Sequence, residues 1–174
     1  MAAKPPEEST RMIHELMTML DPLRGSWAGQ GAGDYPTIDA FRYQERLTFE
    51  FAPSYPMIHY EQRTFLLPGL EPSHWESGFI RPLENGMVEV SSSQDSGRVE
   101  VLRGRVTAGR EGSHDLHMLL DHVALAHDER LAATRRELTL TGDTLTYVVS
   151  MATHTTPEPL LQQHLRATLR RVPS

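Results

Sequence analysis

Histidine is the residue type in this sequence best suited to chemistry, since the chain has nine histidines and no cysteine. Four of them, His114, His117, His122 and His127, fall close together and suggest a metal site. Positions three or five apart in a strand point to opposite faces, so these side chains would not converge unless the segment bends or becomes helical. We therefore expect exposed polar or loop positions here rather than a zinc site.

His164 and His74 stand in more distinctive contexts. His164 begins the last strand-like run, in which Leu165, Ala167 and Leu169 share the apolar face. Strand alternation turns His164 away from that face, so a ligand role requires that it precede the regular pairing or lie in a β-bulge. The alternative is a histidine at the rim that makes an ordinary hydrogen bond.

Signatures of other enzyme classes are missing from the sequence. It has no Gly-x-Ser-x-Gly elbow, no P-loop and no dinucleotide-type glycine fingerprint before a helix. Glu45, Glu61, Glu76 and Glu89 are scattered along strand-like runs. This pattern favours solvated or salt-bridged carboxylates, although two of them could still pair in space.

The elements that must position these residues are mostly strands. Between residues 43 and 51, Tyr43, Leu47, Phe49 and Phe51 share one face and polar residues alternate with them, which predicts a half-buried antiparallel strand. Further strand-like runs, separated by turn signals, are Met57–Leu67, His74–Arg81, Val88–Ser92, Arg98–Val106, Leu116–Ala126, Arg135–Leu140, Leu145–Ala152 and His164–Arg171. Some ten short strands without intervening helices favour a closed, calycin-like, up-and-down β-barrel over a sandwich, and such a barrel has room for a ligand.

One helix is predicted ahead of the strands. Apolar residues recur at helical spacing from an N-cap at Ser9 or Thr10 until Pro22 ends the pattern. We expect this amphipathic helix to pack against the barrel and cover one end, rather than present its methionines to a partner. Residues 1–8 are polar and contain prolines, which predicts disorder, and residues 9–174 are expected to form one domain.

A glycine-rich stretch around Trp27 precedes the alternating pattern. Gly25, Gly29 and Gly31 surround this tryptophan and are followed by Tyr35-Pro36-Thr37. Repeated glycine in a strand indicates close backbone approach, a bend at a barrel corner or a ligand lying against the main chain. A glycine-rich loop beside an ordinary core tryptophan is the alternative.

Composition excludes several classes of protein. The formal net charge is −6, which argues against a nucleic-acid partner. No apolar run approaches the roughly 18 residues of a membrane span, and the N-terminus lacks the apolar core of a signal peptide. Without cysteine there is neither a disulfide framework nor a thiolate metal site, which is compatible with a cytoplasmic location.

The motifs quoted above resemble those of the nitrobindin family of haem-binding β-barrels. Residues 25–31 match its GxWxGxG signature and residues 35–37 its YPT signature. Segments similar to the family also follow in family order at 41–45, 76–82, 94–101 and 150–165. A lone GxW would be weak because lipocalins share it, whereas the ordered set is specific.

This resemblance implies a ten-stranded barrel with haem b at its mouth and His164 as the iron ligand. It places Thr37 at a haem-contacting position, His74 on the distal side, and Gln94 and Met151 in the pocket lining. It further implies that the ferric haem binds nitric oxide and isomerises peroxynitrite to nitrate. A homodimer would fit the family too.

Two alternatives share the same barrel. A haem-free calycin-like carrier of a small apolar ligand would use the same strands and an apolar pocket. A sensor that reports nitric oxide or peroxynitrite to a partner would share the haem site but add a regulated response.

Overall fold

The computed structural model describes residues 7–36, 38–110, 112–154 and 158–173. Its elements are α1 (Glu7–Leu20), a 3₁₀ turn (Asp21–Leu23), β1 (Gly25–Tyr35), β2 (Ile38–Phe51), β3 (Ile58–Leu66), β4 (Pro72–Pro82), β5 (Val88–Gln94), β6 (Val99–Ala108), β7 (Leu116–Ala126), β8 (Leu131–Thr141), β9 (Thr144–Thr153) and β10 (Gln162–Arg171). Each strand pairs antiparallel with the next, and β10 pairs with β1, so the sheet closes into a barrel. The predicted all-β, ten-stranded barrel is confirmed. Among these residues, no helix has the length and apolar character needed to cross a membrane.

The alternating runs of the sequence correspond one by one to strands β2 to β10. Most strand starts agree with the predicted runs to within two residues, but β2 begins at Ile38 and β8 at Leu131, four or five residues earlier than predicted. The early part of β2 is exposed on both faces, and β8 opens with small residues around a register shift between Leu131 and Ala133. Neither segment has the alternation that marks a half-buried strand.

The glycine-rich stretch forms strand β1, and its glycines serve close packing. A Cβ at Gly29 would collide with the backbone of Thr168 on β10, and one at Gly31 with the ring of Tyr43 on β2. Because Gly31 has no side chain, the Tyr43 ring can lie against β1, where its hydroxyl is 2.9 Å from that of Tyr147. The predicted close backbone approach therefore holds at Gly29, whereas Gly31 makes room for an aromatic ring.

Helix α1 lies against one end of the barrel. Its residues Leu16 and Leu20 are buried in the common core, and the helix contacts β4 and β6. The helix begins at Glu7, so Glu7 and Glu8 belong to it rather than to the predicted disordered segment. The rest of that segment, residues 1–6, lies outside the described residues.

Trp27 fills the same end of the barrel. The side chain is 1% exposed, and its indole Nε1 donates a hydrogen bond to the Leu23 carbonyl at 2.8 Å. The Arg171 guanidinium lies 4.3 Å from the ring centroid and donates to the carbonyls of Pro22 and Arg24. These contacts join the first and last strands to the segment that follows the helix.

The two ends of the barrel therefore differ. Strand β1 runs from Gly25, beside the helix, to Tyr35 at the opposite end, roughly 30 Å away at the rise of an extended strand. Leucines with almost no exposure fill the helix end: Leu23, Leu102, Leu116, Leu140, Leu145 and Leu169. The end near Tyr35 holds a cavity instead, and His164 lies in its wall.

Candidate functional site

His164 faces the interior because of an irregularity in β10. Gln163 pairs with Ser150 of β9 and Leu165 pairs with the next residue, Val149, so His164 is the extra residue of a β-bulge. The bulge changes which residues of β10 face inward. His164 is 5% exposed and faces the interior, whereas Gln163 before it is exposed. From the sequence, His164 could be a ligand only if it preceded the regular pairing or lay in a β-bulge, and the structure shows the bulge.

The hydrogen bonding of His164 prepares one ring nitrogen for a metal. Nδ1 lies 2.7 Å from the carbonyl oxygen of Gln162, and a carbonyl can only accept, so Nδ1 carries the proton. The other nitrogen, Nε2, then holds a lone pair. The Tyr35 ring lies against the imidazole, with the two centroids 4.9 Å apart, and helps to fix its orientation.

The cavity beside His164 has a volume of about 630 Å³, within the range of roughly 300–1,000 Å³ typical of small-molecule sites. Its apolar lining includes Ile38, Phe41, Leu131, Val149, Met151 and Leu165. Its polar lining includes Gln62, His74, Glu76, Gln94, Arg98, Asp128, Arg130 and Arg136. The Arg130 side chain is 84% exposed, so the cavity opens to solvent at this end.

His74 lies on the far side of the cavity from His164. It belongs to β4, which is four strands from β10 in one direction around the barrel and six in the other. Its Nε2 lies 3.5 Å from Glu76 Oε2, and its Nδ1 lies 3.4 Å from Asp95 Oδ1. Two carboxylates therefore flank the imidazole at the wall, where it is 29% exposed.

The other residues singled out by the sequence have different outcomes. Gln94 and Met151 are buried and line the cavity, and Gln94 Nε2 has no hydrogen-bond partner among the described residues. Thr37 lies outside the described residues, although its neighbours Pro36 and Ile38 line the cavity. Gly29 and Gly31 act through the packing of β1 rather than through the cavity wall.

Below the cavity lies a fully buried carboxyl, Glu45, whose hydrogen-bond donors are neutral groups. The Tyr147 hydroxyl donates to Glu45 Oε2 at 2.6 Å, and Gln62 Nε2 donates to Oε1 at 2.8 Å. Tyr43 joins this cluster through the Tyr147 hydroxyl. Burial raises the pKa of Glu45 to about 7, although both hydrogen bonds favour the carboxylate.

A second buried carboxyl, Glu76, is ion-paired instead. The Arg136 guanidinium donates to both Glu76 oxygens and, at 2.8 Å, to Glu100 Oε2. The Tyr60 hydroxyl donates to Glu76 Oε1 at 2.6 Å. Burial alone would raise the pKa of Glu76, but Arg136 holds it well below the usual range, so this residue is a carboxylate.

A model of one protein family covers most of the chain. It is described as a THAP4-like, heme-binding beta-barrel domain, which is the nitrobindin family, and it matches residues 16–171. The chain belongs to the nitrobindin family.

Relatives and a solved structure agree with this assignment. A protein named peroxynitrite isomerase Rv2717c, from Arabidopsis thaliana, is 37% identical over 157 residues, which cover 90% of this chain and 89% of the relative. The peroxynitrite isomerase of Streptomyces griseus is 39% identical over 165 residues, covering 91% of this chain and 84% of the relative. The crystal structure of Rv2717c from M. tuberculosis has a TM-score of 0.80 and 31% identity, covering 90% of this chain and 97% of that one.

The residues of this nitrobindin-family barrel fit a haem. The described residues contain no group of three or more histidines and carboxylates able to hold a bare metal ion. A single imidazole nitrogen with a free lone pair suits instead an iron whose other ligands come with the cofactor. The apolar wall residues suit a porphyrin face, and the exposed mouth suits its carboxylates.

Sequence reasoning about the nitrobindin motifs missed the polar residues below the cavity. Glu45 alternates in phase with Tyr43 and Leu47, so strand parity already placed it inside the barrel. Arg136 is likewise in phase with the interior residues Thr134 and Leu138. A polar residue at an inward position of an amphipathic strand was the signal for this cluster.

Two histidines of the 114–127 region, His117 and His122, make contacts with different residues. His117 Nε2 lies 2.8 Å from Glu137 Oε1 on the outer surface, where both side chains are substantially exposed. His122 Nδ1 accepts a hydrogen bond from the backbone nitrogen of Thr134 at 3.3 Å. The structure does not bring these two imidazoles to a common point.

Proposed function

We propose that this nitrobindin-family protein binds haem b through His164 Nε2 and, with ferric iron, isomerises peroxynitrite to nitrate. The observation that carries the proposal is the β-bulge that turns His164 inward with Nδ1 already bonded to a carbonyl. The names of the two relatives described above support the reaction. The family model over residues 16–171 supports one barrel domain, which we propose to span residues 9–174.

The chain itself has two tasks in this reaction. The first is to hold the iron on one side only, which His164 does with an orientation fixed by Gln162 and Tyr35. When bound, the haem supplies an iron to which a nitrogen oxide coordinates and at which peroxynitrite rearranges. The iron, which His164 would hold from one side only, would also bind nitric oxide.

The second task is to shape the space that the nitrogen oxide enters. Met151 excludes water from the cavity wall, and Gln94 Nε2 is a buried donor free to contact a bound oxygen. His74, flanked by Glu76 and Asp95, lies at the exposed part of the wall and modulates ligand access rather than serving as an essential acid. Thr37 belongs to the same haem-contacting set in this proposal.

The test is the rate of peroxynitrite loss and nitrate formation by haem-loaded protein, followed by stopped flow. We expect haem-loaded wild type and His74→Ala both to accelerate nitrate formation, and the chain without haem to have no effect. His59→Ala, which removes a half-exposed imidazole bonded to Ser77, is the matched control. Loss of turnover in His74→Ala at unchanged haem content would make His74 an essential group and overturn its assignment.

Inactive wild type with full haem content would overturn the isomerase proposal. Failure of the chain to take up haem at all would favour the haem-free carrier of a small apolar ligand.

The cellular setting belongs to the same proposal. The lack of cysteine supports a cytoplasmic location. Membership of the nitrobindin family supports a homodimer. Light scattering during size-exclusion chromatography distinguishes a dimer from a monomer directly.

A further inference from the structure

A second, smaller cavity of about 80 Å³ lies inside the barrel, next to the haem cavity. We call it the inner chamber. The two cavities share Gln62, Arg136, Tyr147 and Val149 in their walls. Glu137 also borders the inner chamber, but its side chain is 50% exposed and pairs with His117 on the outer surface. The other side chains around the inner chamber are Leu47, Phe49, Tyr60, Ile80, Val90, Met118, Leu120 and Leu138. Apart from Tyr60 these are hydrocarbon or thioether groups, which offer no hydrogen bond to water.

The polar groups near the inner chamber are largely occupied by one another. Gln62 Nε2 donates to Glu45 and to the Tyr147 hydroxyl, and that hydroxyl donates to Glu45. The Tyr60 hydroxyl donates to Glu76. A cavity holds water only where two or more polar groups remain to bind it, and an apolar cavity stays dry. The bonded side chains lie at the boundary between the inner chamber and the haem cavity, and we expect the mostly apolar chamber to stay dry.

The size of the inner chamber restricts its occupant. A cavity of about 150 Å³ lined by aliphatic and aromatic groups takes up benzene or xenon, whereas one water occupies about 30 Å³ in the liquid. The inner chamber falls between these sizes, so it admits one diatomic molecule or one xenon atom. It is too small for a porphyrin or an acyl chain.

We propose that the inner chamber is a docking site for one small, nearly apolar molecule of diatomic size, with nitric oxide as the occupant. The choice of nitric oxide rests on the function proposed above, whereas the existence of the site does not. A nitric oxide molecule leaving the iron would pass between Tyr147 and Gln62 into the chamber and return from it. The barrel would thus retain a released ligand.

The test is a crystal structure of the haem-loaded protein under xenon pressure, since xenon probes small apolar cavities. We expect a xenon peak between Val90 and Leu120, both of which line the chamber but not the haem cavity. Absence of xenon there overturns the proposal. So does an ordered water in its place, bound to Arg136 Nε, a buried donor with no hydrogen-bond partner among the described residues.

Filling variants sharpen the assignment. Val90→Ile and Leu120→Phe, made separately, each extend a side chain into the chamber and should abolish the xenon peak. Val123→Ile adds the same methyl group at an exposed position of β7 and should leave the peak unchanged. A peak that persists in both filling variants would mean that xenon lies elsewhere, which contradicts the proposal.

Rebinding of nitric oxide after flash photolysis then tests the occupant. We expect wild type to show a slow intramolecular phase that both filling variants lose. If xenon binds but this phase is missing in all proteins, the site stands and nitric oxide as its occupant is wrong. A protein that binds xenon in the chamber but does not isomerise peroxynitrite would refute the proposed function alone.

Discussion

At the scale of single residues, Glu45 and Glu76 show how the same buried carboxyl group takes opposite charge states. Glu76 faces the Arg136 guanidinium and is ionised, whereas Glu45 receives hydrogen bonds only from neutral side chains. Desolvation disfavours the charged form in both, and the contact with the Arg136 guanidinium offsets it at Glu76. At Glu45, by contrast, burial raises the pKa to about 7.

This difference predicts how stability depends on pH. The pKa of Glu45 rises from 4.5 to about 7 on folding, so the folded chain binds more protons than the unfolded chain between these values. The contribution of Glu45 to the free energy of unfolding is fully present below pH 4.5 and is lost as pH rises through 7. Its size is about 2 to 3 kcal/mol between pH 5 and pH 8.

Urea denaturation at pH 5 and pH 8 measures this contribution. Glu45→Gln should remove that part of the pH dependence, since an amide does not titrate. Glu50→Gln, at a side chain that is 80% exposed, should retain it. Equal pH dependence in wild type and Glu45→Gln would show that Glu45 is already ionised below neutral pH.

At the scale of elements, the bulge in β10 decides whether the strand can carry a ligand. Regular alternation would place His164 on the outer face, as the sequence pattern of the strand predicts. One extra residue between the pairs Gln163–Ser150 and Leu165–Val149 reverses this. Sequence could state that a bulge was needed but could not locate it, because a bulge depends on pairing with β9.

Deletion of Gln163 should therefore abolish haem binding although the histidine remains. Without this residue, the histidine would take the outward position opposite Ser150 and regular pairing would resume. Haem titration followed by the Soret band measures the loss. Deletion of Leu161, which precedes the strand, is the control and should retain the band; retention in both deletions would refute the role of the bulge.

The strands themselves were largely predictable from sequence. Runs such as 116–126 and 164–171 alternate because one side faces the core, and burial of that face fixes their position. The first residues of β2 and β8 were not predicted as strand, because this alternation is missing there. It also treated Glu45 as one of several scattered carboxylates, since the partners Gln62 and Tyr147 are distant in sequence.

At the scale of the whole molecule, the barrel is closed at one end and open at the other. Trp27, helix α1 and a layer of leucines fill the closed end, and His164 lies in a solvent-accessible cavity at the open end. The polar cluster around Glu45 and Arg136 separates the open cavity from the apolar core. Composition and strand count predict such a barrel, but the position of the polar cluster requires the register of strands on opposite sides.

The central claim is that His164 Nε2 is the protein ligand of the haem iron. The test is haem titration of three purified proteins, namely wild type, His164→Ala and His117→Ala, the last at an exposed imidazole. Absorption spectra are recorded for each protein, and resonance Raman spectra are recorded after reduction of the iron, because the iron–histidine stretching band belongs to the reduced haem. We expect a Soret band and an iron–histidine stretching band in wild type and His117→Ala. His164→Ala should lose the stretching band and lose or shift the Soret band. Unchanged spectra in His164→Ala would contradict the account.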